Sequence, residues 1–357
     1  MRRFELLVAV LACFGVVAGS ARADLTGSLK KQTVELKSAN SMAFGPESIL
    51  FIGDSAAATI WAVATGDTAT GDRAAALNIE KFDSKVAEAL GSAAANITIN
   101  DMKVNPATGN VFVSVSRRGG DAATAILRVD RAGKISELSL KDVPASRVTL
   151  PNVNEKRRTM TITCMAFMKD RLFVSGLSNE DFNSTLRTIP VPFPADAVKG
   201  TGIEIYHGNH GKLETASPIR SFTFLDIAGQ ANLLAAYQCT PLVKMPVEDL
   251  KAGSKVRGTT IAELGNQNTP LDMVVYQKDG KTFVLMSNDR RGVMKIITEG
   301  IEKVEAISTR IGGIAGVKYD TVSQLKGVEQ LDRLNDTMVV LLVKGADGKN
   351  LQSVPLP

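Results

Sequence analysis

The two histidines of this 357-residue chain, His207 and His210, lie three residues apart in the stretch Tyr-His-Gly-Asn-His-Gly that begins at Tyr206. Imidazole nitrogens are ligands for zinc and copper ions, and a zinc site needs three or four ligands. Glu214 follows closely, and Cys239 could reach the histidines only from another segment of the fold. The sequence therefore predicts either a Zn²⁺ or Cu²⁺ site formed by both histidines with Cys239 or Glu214, or a tight turn without a metal.

The residues around the second histidine bear on how the two imidazoles are arranged. Side chains three positions apart on a straight strand point to opposite faces, so a strand would separate the two rings. Gly208 and Gly211 instead favour a turn at Asn209, because glycine adopts the backbone conformations that tight turns need. A turn can bring the rings back together, as a metal site requires, or it can be an exposed connection between outer strands.

Four segments of the chain repeat one pattern, from which the elements that carry these residues can be predicted. Each segment has a small or polar residue, then methionine and apolar residues, a turn and a second strand. The segments are SMAFGPESILF from Ser41, DMKVNPATGNVF from Asp101, CMAFMKDRLF from Cys164 and DMVVYQKDGKTF from Asp272. Alternation at period two, with Gly, Asn, Asp and Pro at the turns, is typical of β-hairpins.

A repeated sheet of three or four strands cannot bury both of its faces alone. Copies of such a sheet therefore pack against one another in a ring, which is the architecture of a β-propeller. At about 40–45 residues per blade, the chain length predicts seven blades, with six or eight as alternatives. Helices are predicted to be short and confined to connections such as residues 82–90. The fold class is therefore all-β, with residues 24–357 forming a single β-propeller domain.

The first 23 residues have the pattern of a secretory signal peptide. Two arginines at positions 2 and 3 precede the apolar residues 6–18, and Ala-Arg-Ala at 21–23 has the form of a cleavage site. A lipoprotein anchored at Cys13 is the less favoured alternative, because the apolar run continues beyond this cysteine. The sequence therefore predicts an exported protein, periplasmic or secreted, without a membrane span.

Charge and cysteine content limit the partners of the protein. The net charge of +5 at pH 7 is a small excess, so nucleic acid is a poor partner for this exported chain. We expect a monomer that binds a protein or a small molecule. Export permits a disulfide between Cys164 and Cys239, and the alternative is two buried free thiols.

The repeated pattern resembles that of NHL, YVTN and SMP-30 (gluconolactonase-like) propellers. In such blades the first residue of the repeat starts the innermost strand at the mouth of the central channel, so the resemblance implies that Asp101, Cys164 and Asp272 share one rim. The segments that carry the resemblance are 41–63, 101–117 and 270–296.

Gluconolactonase-like propellers bind a divalent metal through Glu, Asn and Asp in this channel. The resemblance therefore implies a channel site at Asp272 and Asn288, with Asp101 and Asn268 as further oxygen donors. Ca²⁺ prefers six to eight such oxygens. The alternative is that these polar side chains cap the ends of strands by bonding to neighbouring backbone groups.

Three functions follow from these residues. The first is an exported binding or scaffold module that recognises a protein or a small ligand through its rim loops. The second is a metal-dependent, lactonase-like hydrolase that uses the channel oxygens. The third is a periplasmic accessory protein for a redox enzyme, with a metal at the histidines and Cys239. The chain has no G-x-S-x-G, H-E-x-x-H or C-x-x-C-H motif that would point to another chemistry.

Overall fold

The structure is a computed structural model that describes residues 24–69, 75–118, 124–239 and 241–357. The predicted signal peptide, residues 1–23, lies outside the described residues. Within the described part, no helix is long and apolar enough to span a membrane.

About half of the described chain is in short strands. The strands of the first half are β1 Lys30–Gln32, β2 Ser41–Phe44, β3 Ile49–Asp54, β4 Thr59–Ala64, β5 Asn78–Ile79, β6 Ile97–Val104, β7 Val111–Arg117, β8 Thr124–Val129, β9 Ile135–Glu137, β10 Val143–Thr149, β11 Cys164–Met168, β12 Arg171–Leu177 and β13 Ser184–Pro190. The α-helix α1, Phe82–Ala89, lies in a connection, as predicted.

The second half contains strands of the same length. They are β14 Thr201–His207, β15 Lys212–Glu214, β16 Ile219–Ile227, β17 Gln230–Tyr237, β18 Pro241–Pro246, β19 Lys255–Arg257, β20 Thr259–Leu264, β21 Pro270–Lys278, β22 Lys281–Asn288, β23 Val293–Ile297, β24 Ile314–Gly316, β25 Tyr319–Thr321, β26 Val328–Arg333, β27 Met338–Lys344 and β28 Lys349–Pro355. Short 3₁₀ turns are Thr26–Ser28, Pro46–Ser48, Ala94–Asn96, Glu155–Met160, Val247–Asp249 and Ile301–Lys303.

The strands form six sheets, which are the blades of a β-propeller. Blade 1 contains β1, β2, β3, β4 and β10; blade 2 contains β6–β9; blade 3 contains β11–β15 and β19; blade 4 contains β16, β17, β18, β20 and β24; blade 5 contains β21, β22, β23 and β25; and blade 6 contains β5, β26, β27 and β28. The β-propeller is confirmed, but it has six blades and not the predicted seven. Blades 1, 3 and 4 carry more than four strands. These extra strands use up the chain length from which seven blades were predicted.

The order of the blades around the ring differs from their order along the chain. Contacts between the innermost strands β2, β6, β11, β16, β21 and β26 give the ring order 2, 1, 3, 4, 5, 6. After four strands of blade 1, the chain adds β5 to blade 6, builds blade 2 and returns with β10 to complete blade 1. The early part of the chain therefore supplies strands to blades 6 and 1, which are the two neighbours of blade 2 in the ring.

Each blade buries both faces against its two neighbours. Six apolar clusters fill the spaces between blades, and each draws its side chains from two blades that are adjacent in the ring. The cluster between blades 2 and 6 also takes Phe82 and Val86 from α1. Because removal of apolar surface from water is the main favourable term in folding, the ring is held together chiefly at these interfaces.

Aspartates on the innermost strands add directional bonds between blades. Each carboxylate accepts the backbone N–H of the next innermost strand in the ring. The N–H of Leu331 donates to Asp272 at 3.1 Å, that of Val104 to Asp332 at 2.7 Å and that of Met42 to Asp101 at 2.5 Å. These bonds run in one direction from blade 5 through blades 6 and 2 to blade 1, so they set the position of each strand along the axis.

Replacing Asp332 tests the contribution of one interblade bond. We expect Asp332→Ala to lower the free energy of unfolding by about 1–3 kcal/mol, because the buried N–H of Val104 loses its acceptor. Asp332→Asn keeps an acceptor oxygen and should cost less. Asp336→Ala, at a side chain that is 96% exposed, is the matched control. Urea unfolding measures all three, and equal midpoints for Asp332→Ala and Asp336→Ala would contradict the assigned role.

Candidate functional site

The channel along the propeller axis is lined by one residue from the same position of each innermost strand. These residues are Ser41, Asp101, Cys164, Ser221, Asp272 and Gln330, each of which precedes or lies beside the apolar residue that packs between blades. Four of these strands, β6, β16, β21 and β26, are irregular here, since their pairing register shifts at this point. Bulges of this kind redirect side chains and are common beside functional sites.

A lysine occupies the centre of this ring. The Nζ atom of Lys103, on β6, lies 3.2 Å from Oδ1 of Asp101 and 3.2 Å from Oδ1 of Asp272, which belongs to blade 5. Burial opposes the positive charge, but the carboxylates of Asp101, Asp272 and Asp332 hold the pKa of Lys103 well above its ordinary value. Burial also raises the pKa of Asp101 to about 6, against the attraction of the lysine. The positive charge on the propeller axis is therefore the ammonium group of Lys103.

Lys103, Cys164 and Asp272 line two cavities, one on each side of the lysine. The chamber where the innermost strands begin has a volume of about 180 Å³ and a polar lining. The chamber at the other end has about 450 Å³ and includes the rings of Phe44, Phe167 and Phe224. We call them the polar chamber and the aromatic chamber.

The structure brings only some of the predicted channel residues together. Asp101, Cys164 and Asp272 all line the polar chamber. Burial raises the pKa of Cys164 to about 12, so its thiol is neutral. Neither chamber lining includes Asn268 or Asn288.

Asn268 and Asn288 instead bond to each other and to a turn. Asn268 Nδ2 donates to Asn288 Oδ1 at 2.7 Å, and Asn288 Nδ2 donates to the carbonyl of Gly292 at 3.0 Å. Asn268 Oδ1 accepts the backbone N–H groups of Arg290 and Arg291, each at 3.2 Å. These amides hold the turn between β22 and β23, so the four oxygen donors of the implied Ca²⁺ site are not assembled.

The histidines form a second cluster, where blades 3 and 4 meet. His207 ends β14, His210 lies in the turn before β15, and Cys239 comes from the turn between β17 and β18 of blade 4. One ligand atom from each of the three residues lies within 4.8 Å of the others. The two imidazole centroids are 3.8 Å apart. The segment is thus a tight turn that also places both rings beside a thiol.

One carboxylate orients both imidazoles. Glu214 lies 3.2 Å from His207 Nδ1 and 2.6 Å from His210 Nδ1. The bond to His207, followed by that to His210, holds the pKa of Glu214 well below its usual range, so it stays ionised and accepts both bonds. Both Nδ1 atoms then face the carboxylate, which leaves Nε2 of each ring as the nitrogen for a metal ion. His207 is 3% exposed and its Nε2 has no hydrogen-bond partner among the described residues.

Backbone anchors fix the two turns that carry these ligands. Glu263 of blade 4 accepts the N–H of Gly208 at 2.6 Å and the side-chain amide of Asn209 at 3.0 Å. The N–H of Cys239 donates to the carbonyl of Asn268 at 2.8 Å, and Cys239 has a left-handed φ of 63°. Both turns are therefore held by groups of other strands and not by the ligands themselves.

The cluster has the chemistry of a transition-metal site. Two imidazole nitrogens and a thiolate around a tetrahedral ion lie roughly 3.3–3.8 Å apart, so the ligands need to contract only slightly. Three protein ligands leave one position for water or an external group. The two cysteines of the described residues are free thiols, with Cys164 in the channel and Cys239 at this cluster.

Some site residues escaped sequence reasoning. Lys103 follows Asp101 by two positions on a strand, so the period of two places both side chains on the channel face, and this signal was present in the sequence. Arg220 and Asp332 line the channel from strands whose repeats are too divergent to align by eye. No local signal identifies them.

Comparison with solved structures finds similar chains at low identity. The PQQ-bound aldose sugar dehydrogenase of Streptomyces coelicolor is 15% identical, covering 92% of this chain and 97% of that one, with a TM-score of 0.41. Virginiamycin B lyase of Staphylococcus aureus is 9% identical, covering 92% and 100%, with a TM-score of 0.42. No protein-family model and no curated protein matches the chain. The propeller therefore rests on the strand topology, and these similarities carry no activity.

Removal of the axial lysine tests the ion cluster. We expect Lys103→Met to cost about 3–5 kcal/mol at pH 7.5, because it leaves Asp101 and Asp272 buried without their cation. Loss of the cation raises the pKa of Asp101 further above its unfolded value, so the folded state takes up a proton on acidification. The loss should therefore shrink at pH 5.

Urea unfolding at both pH values measures this effect. Lys281→Met is the control, since Lys281 pairs with Glu299 at the surface and such pairs contribute about 0–1 kcal/mol. A cost for Lys103→Met that does not depend on pH would show that the carboxylates do not respond to the lysine.

Proposed function

We propose that this protein is an exported β-propeller that binds a transition-metal ion through His207, His210 and Cys239. The observation that carries the proposal is the convergence of three ligand atoms within 4.8 Å from two different blades. The sequence of residues 1–23 supports export. The protein is then a binding module whose recognition site lies at the rim, with the ion as its centre.

The donor set favours zinc or copper. Thiolate and imidazole ligands suit these ions, whereas Mg²⁺ and Ca²⁺ prefer oxygen. His207 is buried and His210 is exposed, so the ion can enter from solvent and remain partly shielded after binding. The open coordination position would take water or a donor atom of an external ligand. Copper at this site would suit an accessory protein of an exported redox enzyme.

Metal analysis of the purified mature protein tests the proposal. After chelator treatment and reconstitution, we expect about one zinc or copper ion per chain and no retained Ca²⁺. Co²⁺ should produce a thiolate-to-metal absorption band that Cys239→Ser abolishes and that Cys164→Ser, the matched thiol control, preserves. His207→Ala should also abolish it. Unchanged metal content and spectrum in Cys239→Ser would refute the site.

Glu214 tests the orientation of the ligands without removing one of them. The two Nδ1 atoms face different oxygens of Glu214, and Glu214→Gln replaces one of these oxygens with an NH₂ donor. One imidazole then loses the tautomer that leaves Nε2 available, and we expect metal affinity to fall about 10–100-fold. Competition with a chromophoric chelator measures the affinity. Glu299→Gln, at a surface ion pair, should leave it unchanged, and equal affinities for the two variants would contradict the role of Glu214.

A further inference from the structure

The polar chamber has features of a ligand site. These features do not depend on the proposed metal site of His207, His210 and Cys239. It lies where the innermost strands begin, and its floor is the Lys103 ion cluster. Its volume of about 180 Å³ corresponds to roughly six water molecules at about 30 Å³ each. The chamber is therefore large enough for a small organic molecule and too small for a nucleotide or an oligosaccharide.

Bulges in three innermost strands lie at residues that line this chamber. The register shifts between Ile99 and Asp101 on β6, between Ile219 and Ser221 on β16, and between Val328 and Gln330 on β26. The residues skipped by the pairing are Asn100, Arg220 and Glu329, and all three line the chamber. A bulge interrupts the strand ladder, so three blades give up regular pairing at the place where they present polar side chains.

Two buried polar atoms in the chamber lining have no hydrogen-bond partner among the described residues. They are Nε of Arg220, a donor, and Oε1 of Gln330, an acceptor. The Gln330 side chain is held in place, since its Nε2 donates to the carbonyl of Asn100 at 2.8 Å. Buried donors and acceptors normally have partners in folded proteins. The unpaired donor and the unpaired acceptor belong to two residues that line one small cavity, which favours a ligand that has both functions.

Among the charged groups of the chamber lining, Arg220 is the one without a direct ion pair. Lys103 lies between Asp101 and Asp272, and Glu329 pairs with Lys349. Arg220 donates to the sulfur of Met160, at 3.4 Å through Nη1, and Asp289 attracts it electrostatically, but no carboxylate of the described residues lies within ion-pair distance of it. A carboxylate is the ligand group that best matches an unpaired guanidinium.

We propose that the polar chamber binds a small carboxylate with a hydrogen-bond donor on the neighbouring carbon, that is, a short hydroxy acid or amino acid. Arg220 binds the carboxylate, and Gln330 Oε1 accepts the hydroxyl or ammonium proton of the neighbouring carbon. The polar walls exclude a long apolar tail. None of the three proposed metal ligands lines this chamber, so the carboxylate can bind whether or not a metal ion is bound.

Calorimetric titration of the mature protein with four probes tests the proposal. Lactate and glycine carry both functions, acetate lacks the donor, and glycerol lacks the carboxylate. We expect lactate or glycine to bind more tightly than acetate and glycerol by about tenfold or more, the value of a hydrogen bond to a charged group. No binding of either bifunctional probe, or equal binding of acetate, would overturn the proposal. The comparison of lactate with glycine distinguishes a hydroxyl from an ammonium donor.

Variants at the two unpaired groups locate the binding. Arg220→Gln should weaken the bound probe about tenfold or more, whereas Arg333→Gln, in the lining of the aromatic chamber, is the matched control and should bind normally. Gln330→Leu should reduce discrimination against acetate. Wild-type affinity in Arg220→Gln would overturn the assignment. The Cys239→Ser variant, which lacks the metal ligand, should bind the probe normally.

A spectroscopic measurement keeps the proposal testable if Arg220→Gln does not fold. The ¹⁵N resonance of Arg220 Nε in the wild-type protein should shift on titration with lactate or glycine, because a hydrogen bond forms at an atom that has none. The Arg333 resonance should not move. Absence of a shift at saturating probe would overturn the proposal.

Discussion

The ion cluster around Lys103 is the constraint on which the interior of this propeller depends. Six sheets that close into a ring bring six innermost strands around one axis, where polar side chains are partly removed from water. A buried carboxylate is costly unless it is paired and hydrogen-bonded. Asp101 and Asp272 meet both conditions, because each lies 3.2 Å from the same ammonium and each accepts a backbone N–H of the next blade.

This arrangement places one positive charge of the protein between two carboxylates of the axis. Lys103 offsets part of the negative charge of Asp101 and Asp272, and it occupies the position between them. The lysine also separates the channel into two chambers of different character. Among the buried groups without a hydrogen-bond partner in the described residues, Arg220 Nε and Gln330 Oε1 belong to residues that line the polar chamber, and His207 Nε2 belongs to the proposed metal site.

The parts that the sequence predicts are those that depend on local pattern. The turn after His207, the strand pairs that begin at Asp101 and Asp272, and the helix at Phe82 follow from period, glycine and proline within about ten residues. The ring order does not, because β5 and β10 pair with strands that are distant in sequence. The blade count was wrong for the same reason, since outer strands such as β19 and β24 belong to no visible repeat.

The proposed metal site of His207, His210 and Cys239 combines the two kinds of information. Its histidines are set by a local turn in which Gly208 has no room for a side chain, since an added Cβ would lie 2.9 Å from Glu263 Oε1. Its thiol comes from the next blade, and the backbone of Cys239 is held by Asn268 at the start of the blade after that. Blades 3, 4 and 5 must therefore be docked before the three ligand atoms meet. An ion bound by all three ligands favours the closed ring over any open form, because a ligand that binds only the folded state shifts the folding equilibrium toward it.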